Sequence, residues 1–161
     1  MAFALRVFFL LCGISGLMTG AWATFRHDDK DGCCPKGWTQ LNDRCFIYQE
    51  EARSFLDAES ICKTLGGNLA SIQSALEYAT VLAVIKETDD PIIDTWIGLH
   101  EGIEEGNFIW TDGSDFDFSA FNADTDVGDC IEIENLDELW DNETCGSDNP
   151  YVCARDADCH H

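Results

Sequence analysis

Apolar residues recur with helical spacing in two segments of the chain. In the first, residues 55–65, one face carries Phe55, Ala58, Ile61, Cys62 and Leu65. Ser54 is a typical N-cap, and the glycine pair at 66–67 is typical of a helix end. A second helix is predicted from the Ser-x-x-Glu capping box at 74–77 to about residue 86. The side chains that we expect to be mostly buried on it are Leu76, Ala79, Val81, Leu82 and Ile85.

Shorter apolar runs predict strands. Residues 38–41 and 44–48 flank an Asn-Asp pair that tolerates positive φ and suits a tight hairpin, which would bring Cys34 and Cys45 together across its base. Further strands are predicted at 96–99, 107–110, 131–133, 139–140 and 151–154. Residues 115–129 lack a regular pattern, and Phe116, Phe118 and Phe121 are spaced to anchor them. Such long loops in a compact domain are usually functional.

The start of the chain has the pattern of an export signal. Arg6 precedes an apolar run at 7–12, and residues 21–23, Ala-Trp-Ala, fit the small-x-small rule for cleavage. The run is too short to cross a bilayer as a helix, which disfavours a retained membrane anchor. We therefore predict a signal peptide at 1–23, a disordered polar leader at 24–32 and one domain at 33–159. The protein is expected to be secreted and extracellular, with no membrane insertion.

Charge and cysteine content narrow the class of protein. The formal net charge of −22 excludes nucleic acid as a partner, because few cations are present to neutralise phosphates. Of nine cysteines, Cys12 lies in the predicted signal, and an even number remains in a secreted chain, which indicates disulfides. These eight are Cys33, Cys34, Cys45, Cys62, Cys130, Cys145, Cys153 and Cys159.

The sequence offers little basis for catalysis. Nucleophile-elbow, P-loop and metal-hydrolase motifs are missing, and His100 is the only histidine inside the predicted domain. A lone histidine in a loop is usually a surface residue. We therefore predict that the protein is not an enzyme.

Several motifs together resemble a known family. They are Cys34-Pro35 with Gly37-Trp38, the helix ending near Cys62, residues 66–72, residues 96–99, residues 110–114, Asp129-Cys130, Trp140-Asp141-Asn142 with Cys145, and residues 151–153. In this order and spacing they resemble the C-type lectin-like domain over residues 34–154. Among its members the chain is most similar to secreted fish lectins, a group that includes galactose-binding lectins and type II antifreeze proteins.

The resemblance implies a disulfide-stabilised α+β fold. It consists of two helices, two small antiparallel sheets and a long loop that carries the ligand site. The implied disulfides are Cys34–Cys45, Cys62–Cys153 and Cys130–Cys145. Because the two chain ends lie side by side in this fold, we expect Cys33 to bond Cys159 within the chain. The alternative is a bond between two chains, which would make a covalent homodimer.

The resemblance also implies a calcium ion that bridges protein and sugar, and here the sequence departs from the family. The loop is shortened, and Glu-Pro-Asn and Gln-Pro-Asp are both missing. Gly128 stands where a glutamate ligand is expected, and Asp141 and Asn142 keep the two ligand types in swapped order. We therefore predict a degenerate calcium and sugar site. Its candidate ligand-binding residues are Asp124, Asp126, Asp141 and Asn142.

A second, auxiliary calcium position is better supported by the resemblance. By position, Glu101, Glu105 and Asp129 match its carboxylates, and the alternative is that these acids only solvate their loops. Asn142 also begins the chain's single N-glycosylation sequon, Asn142-Glu143-Thr144. A glycan there would prevent Asn142 from acting as a calcium ligand.

The function implied is that of a secreted carbohydrate-binding lectin of innate defence, with altered calcium dependence. The sugar class would be galactose-type or microbial glycans. The alternative is a module that binds a protein partner, or an ice or mineral surface, without recognising sugar.

Overall fold

The computed structural model describes residues 33–87, 93–104, 106–122 and 128–159. The predicted signal and leader therefore lie outside the described residues. The helices are α1 (Phe55–Thr64) and α2 (Ala75–Lys86). The strands are β1 (Thr39–Leu41), β2 (Arg44–Arg53), β3 (Asn68–Leu69), β4 (Thr95–Glu101), β5 (Phe108–Trp110), β6 (Cys130–Ile133), β7 (Trp140–Glu143) and β8 (Asn149–Asp156).

The predicted first hairpin forms from β1 and β2. Asn42 adopts φ 53° in its turn, a left-handed conformation that asparagine tolerates better than most residues. Strand β2 continues to Arg53, beyond the predicted end at residue 48, because β8 pairs with it along its length. That pairing is long-range, so local sequence does not reveal it.

The strands form one mixed sheet rather than two separate antiparallel ones. The order is β1-β2-β8-β4-β6-β7, with β3 paired to β8 and β5 to β4. All pairings are antiparallel except β4 with β8, which meet at Trp96 and Tyr151. This single parallel contact joins the two antiparallel parts that the family resemblance implies. The expected α+β class, with two helices on a small sheet assembly, is confirmed.

Helix α1 begins as predicted, but its buried face differs in part. The Ser54 hydroxyl accepts a hydrogen bond from the backbone N–H of Asp57. Phe55, Ala58 and Cys62 are buried as expected, whereas Leu65 caps the helix end and is 37% exposed. Glu59 is buried in its place, because its carboxylate accepts hydrogen bonds from the side chain of Asn68 and the backbone of Leu69.

Helix α2 has the predicted limits, but two residues that were predicted to lie in its core face are exposed to solvent. Ser74 Oγ accepts a hydrogen bond from Glu77 N at 3.2 Å, which completes the N-cap. Leu76 is 60% exposed and Ala79 is also exposed, so the prediction was wrong at both. Val81, Leu82 and Ile85 pack into the core as predicted, and Tyr78 packs against it beside them. Apolar residues occur on nearly all sides of this helix, so the hydrophobic pattern of the sequence does not identify the side that is buried.

Two apolar clusters fill the interior. The larger includes Trp110 and Trp140 between α2 and the sheet, and the smaller includes Trp96 beneath α1. The disulfides join Cys33 to Cys159, Cys34 to Cys45, Cys62 to Cys153 and Cys130 to Cys145. The last three are the pairs that the family resemblance implies, and the first is the intrachain bond expected between neighbouring chain ends. Within the described ranges, no helix is long and apolar enough to cross a membrane.

Candidate functional site

The β6–β7 hairpin is the scaffold of the candidate site. The Cys130–Cys145 bond closes it, and the fully buried Trp140 sits at the start of β7. Trp140 N donates to Ala120 O at 2.9 Å, and Asn122 N donates to Trp140 O at 2.9 Å. The preceding loop is thereby attached to β7 by its backbone.

Aromatic side chains fix the same loop from within. The rings of Phe118 and Phe121 lie 5.8 and 5.7 Å from Trp140, and Trp110 contacts Trp140 edge-on at 5.7 Å. Edge-to-face contacts of this kind add to the burial of apolar surface. Tyr78 also meets Trp140 edge-on, and burial, aided by Glu138 and Asp137, raises the pKa of Tyr78 to about 12. The tyrosine is therefore neutral and acts as part of the apolar scaffold.

The two predicted ligands on β7 are engaged inside the protein. Asn142 Nδ2 donates to Gly128 O at 2.8 Å. Asp141 is 7% exposed, and its Oδ1 accepts from Asn142 N at 2.8 Å. A calcium ion takes six to eight oxygen ligands, and here the backbone carbonyl of Gly128 is already held by an amide. This donor set does not fit a calcium ion that bridges to sugar.

Gly128 shows why the expected glutamate ligand is missing. A Cβ atom added at Gly128 would overlap the carbonyl group of Glu143 on β7. The backbone at this point lies against β7 so closely that only glycine fits. The family's glutamate is therefore excluded by the backbone path as well as by the sequence.

The remaining predicted ligands are only partly described. Asp124, Asp126 and Glu105 lie outside the described residues. The structure brings Glu101 and Asp129 together, since Glu101 N donates to Asp129 O at 2.6 Å. The Glu101 carboxylate accepts a hydrogen bond from Gly106 N and so tightens the β4–β5 turn. Across the described ranges, no group of three or more His, Cys, Asp or Glu side chains is arranged to hold a metal ion.

Glu101 and Asp129 share an open cleft of about 480 Å³ with residues of α1. Its apolar side includes Phe55, Leu56 and the Cys130–Cys145 bond. His100 also lines the cleft, with its Nδ1 3.0 Å from the Glu101 carbonyl oxygen and its ring edge-on to Phe55. The histidine is thus held between a carbonyl oxygen and an aromatic ring, which is a structural setting rather than a catalytic one.

Sequence reasoning missed one buried acid beside the site. Glu132 is 6% exposed, although its place between two core isoleucines predicts the opposite, solvent-facing side of β6. That side is not open to solvent: the cross-strand neighbours of Glu132 there are Trp96 of β4 and Asp141 of β7, and both are buried as well. Burial, followed by the charges of Asp94, Glu143 and Asp141, raises the pKa of Glu132 to about 8, against a hydrogen bond from Asn149 that lowers it. Glu132 therefore carries a proton through most of the neutral range.

The sequence of the chain matches the model of a known protein family. The family described as "Lectin C-type domain" matches residues 51–155. The chain belongs to the C-type lectin domain family. The relatives of this lectin domain are binding proteins, and it is likewise not an enzyme.

Two fish proteins illustrate the sequence similarity. Ladderlectin of Oncorhynchus mykiss is 36% identical over 73% of this chain and 65% of its own length. The galactose-specific lectin nattectin of Thalassophryne nattereri is 30% identical over 91% of this chain and 92% of its own. Among solved structures, a calcium-independent type II antifreeze protein superposes with a TM-score of 0.71 at 28% identity, covering 80% of this chain and 98% of that one. This lectin domain is therefore similar to proteins with more than one kind of ligand.

Proposed function

We propose that the protein is a secreted carbohydrate-binding lectin of innate defence, whose sugar binding does not need a bridging calcium ion. The observation that carries this proposal is the hydrogen bond from Asn142 Nδ2 to Gly128 O, together with the burial of Asp141. In this arrangement the two side chains stabilise the hairpin rather than an ion. The similarity to a galactose-specific lectin supports a neutral, galactose-type sugar or a microbial glycan as the ligand class.

The proposed domain plan supports secretion. We infer a cleaved signal at 1–23, a short leader at 24–32 and the lectin domain at 33–159, with the chain ends joined by Cys33–Cys159. Four disulfides in a domain of this size suit an oxidising compartment.

The proposal includes a weakly bound calcium ion at the auxiliary position. The backbones of Glu101 and Asp129 are hydrogen-bonded there, and Glu105 follows Glu101 by four positions in the sequence. Such an ion would stabilise the loop and would take no part in contacting sugar.

A glycan array tests the proposed function. Secreted protein is applied with calcium and again with a chelator, and the expected result is the same set of bound glycans in both. Loss of all binding in chelator would contradict calcium independence. If no glycan is bound in either condition, the proposal that the protein binds carbohydrate is wrong.

The second candidate is a surface or protein binder that has lost sugar recognition. The similarity to a calcium-independent antifreeze protein favours it, as does the high exposure of the apolar side chains Ile103 and Leu136. An ice-crystal habit assay and pull-down with immobilised protein test this alternative. It is supported only if one of them is positive while the glycan array is empty.

A further inference from the structure

An apolar surface runs from the first turn of α1 across the β4–β5 hairpin. It begins in the open cleft of about 480 Å³, where Leu56 and Phe55 of α1 face His100 of β4. It continues over Ile109 of β5 to Ile103 in the β4–β5 turn. We call these five residues the α1–β4 surface, and none of them is a predicted sugar or calcium ligand.

Direct contacts join these side chains into one surface. The rings of Phe55 and His100 lie 6.1 Å apart in an edge-on arrangement. His100 is paired with Ile109 across the antiparallel strands, so both side chains project from the same face of the sheet. A Cβ added at Gly102 would lie 3.0 Å from the Ile109 side chain, which places the backbone of the turn beside it. The apolar surface is therefore continuous from α1 to the turn that carries Ile103.

The exposed side chains of the α1–β4 surface are not needed to pack the fold. Helix α1 buries Phe55, Ala58 and Cys62 against the sheet, whereas Leu56 is 76% exposed. Ile109 is 41% exposed and Ile103 is fully exposed.

Clustering distinguishes this surface from scattered apolar residues. Seven large apolar side chains are exposed in the part of the chain that the structure describes, and Leu56, Ile103 and Ile109 are three of them. A single exposed apolar residue is common on a soluble protein, but several that adjoin one another are typical of an interaction surface.

The charges beside the α1–β4 surface select the class of partner. Asp57 in α1, Glu104 in the β4–β5 turn and Asp129 at the cleft are all exposed carboxylates. Lys63 also lines the cleft, but its ammonium group lies 3.2 Å from the carboxylate of Glu59, which balances its charge. A partner that covers this surface therefore gains most if it carries positive charges around apolar side chains.

The same charges disfavour two other occupants. A second copy of the chain would also carry a formal net charge of −22, and an anionic lipid surface would likewise meet carboxylates of its own sign. Basic residues have the opposite advantage, because the alkyl stems of lysine and arginine pack on apolar surface while their charged ends reach the carboxylates.

We propose that the α1–β4 surface binds a basic amphipathic segment of a partner protein. Apolar side chains of that segment pack on Leu56 and Ile109, and its lysines or arginines pair with Asp57, Glu104 and Asp129. This interaction goes beyond the proposed lectin function and does not depend on it, because the surface excludes the predicted sugar ligands of the β6–β7 hairpin.

The test measures peptide binding to the whole secreted protein by fluorescence anisotropy, in chelator so that calcium does not occupy Asp129. The probe is a labelled amphipathic helix of leucine and lysine, and a leucine and glutamate helix of the same pattern is its comparison. The lysine peptide should bind and the glutamate peptide should not. Leu56→Gln and Ile109→Thr should each weaken binding at least about fivefold, because each removes apolar area from the contact.

Matched variants control for non-specific attraction to an acidic protein. Leu76→Gln makes the same change as Leu56→Gln in the first turn of the other helix, where the leucine is 60% exposed, and it should leave the affinity unchanged. Glu104→Gln should weaken binding and reduce its dependence on salt, whereas Glu87→Gln, at the exposed end of α2, should do neither.

Four outcomes would overturn the proposal. Equal weakening by Leu56→Gln and Leu76→Gln would show attraction to the whole acidic surface, and equal binding of the glutamate peptide would refute the basic partner. Self-association in ultracentrifugation that Leu56→Gln abolishes would show that a second copy covers the surface. Loss of glycan-array binding in Leu56→Gln would assign the cleft to sugar; an unchanged array is expected, so this proposal and the lectin function can fail separately.

Discussion

Glu132 of β6 lies directly opposite Asp141 of β7, and both acidic side chains are more than nine-tenths buried. Residues paired in this way point to the same face of the sheet. Burial and the nearby carboxylates, Asp94 first among them, raise the pKa of Glu132 to about 8, so Glu132 keeps its proton at neutral pH.

This pair predicts that the protein loses stability as the pH rises towards the alkaline range. The folded pKa of Glu132, about 8, is above its ordinary value of 4.5. The contribution is therefore fully present below about pH 4.5 and is lost as the pH rises through 8. Glu132→Gln keeps an acceptor for Asn149 and should raise the free energy of unfolding at pH 8 by about 1–2 kcal/mol.

Urea denaturation at pH 5 and pH 8 measures the effect. The exposed Glu50 provides the control, since Glu50→Gln makes the same chemical change without burial. A pH dependence in Glu132→Gln equal to that of the wild type would contradict the assignment.

Restoring the family's glutamate at Gly128 should fail. Gly128→Glu places a Cβ against the Glu143 carbonyl, so we expect a loss of about 1–3 kcal/mol in the free energy of unfolding and no gain in calcium affinity. Gly146→Glu is the matched control, because a Cβ there meets no atom within 4 Å. Tighter calcium binding by Gly128→Glu would show that the hairpin backbone can move to accept the side chain.

Calcium should bind weakly and only at the auxiliary position. By analogy with extracellular calcium modules, we expect a dissociation constant on the order of 10⁻³ M. Glu101→Gln and Asp129→Asn should abolish the calorimetric heat of calcium addition, whereas Asn142→Ala should leave it unchanged. If the heat of calcium addition is lost only in Asn142→Ala, the ion binds at the β6–β7 hairpin instead.

Asn142 should be unglycosylated in the secreted protein. Its amide nitrogen, the atom that would carry the glycan, donates to Gly128 O across the hairpin. Intact mass before and after amidase treatment should therefore be identical, and Thr144→Ala, which removes the sequon, should differ from the wild type only by the mass of the substitution. A mass loss on treatment of the wild type would refute this prediction.

The bond between the chain ends should be intramolecular. Cys33 and Cys159 are bonded within the chain, so the protein should migrate as a monomer on non-reducing electrophoresis. Replacing both by serine should lower the free energy of unfolding by about 4 kcal/mol, because the bond closes a loop that spans nearly the whole domain. A dimer that disappears on reduction would support the covalent homodimer instead.

The sequence by itself determined the features with local causes. The caps at Ser54 and Ser74 set where both helices begin, and Asn42 supplies the positive φ of the first hairpin. Each of these features depends on a few residues that are adjacent in sequence, so the local sequence pattern was sufficient to predict it. Motif order and cysteine spacing then indicated the family, and with it the α+β class.

The tertiary structure decided what surrounds each side chain. A lone glutamate between two core isoleucines is typical of a solvent-facing position, but Glu132 is buried in the folded chain, and burial with the charges of Asp94, Glu143 and Asp141 raises its pKa. In the same way, the missing glutamate could be read from the sequence, but its exclusion depends on how closely Gly128 lies against Glu143. Burial and electrostatic environment are sums over residues distant in sequence, and only the folded chain brings those residues together.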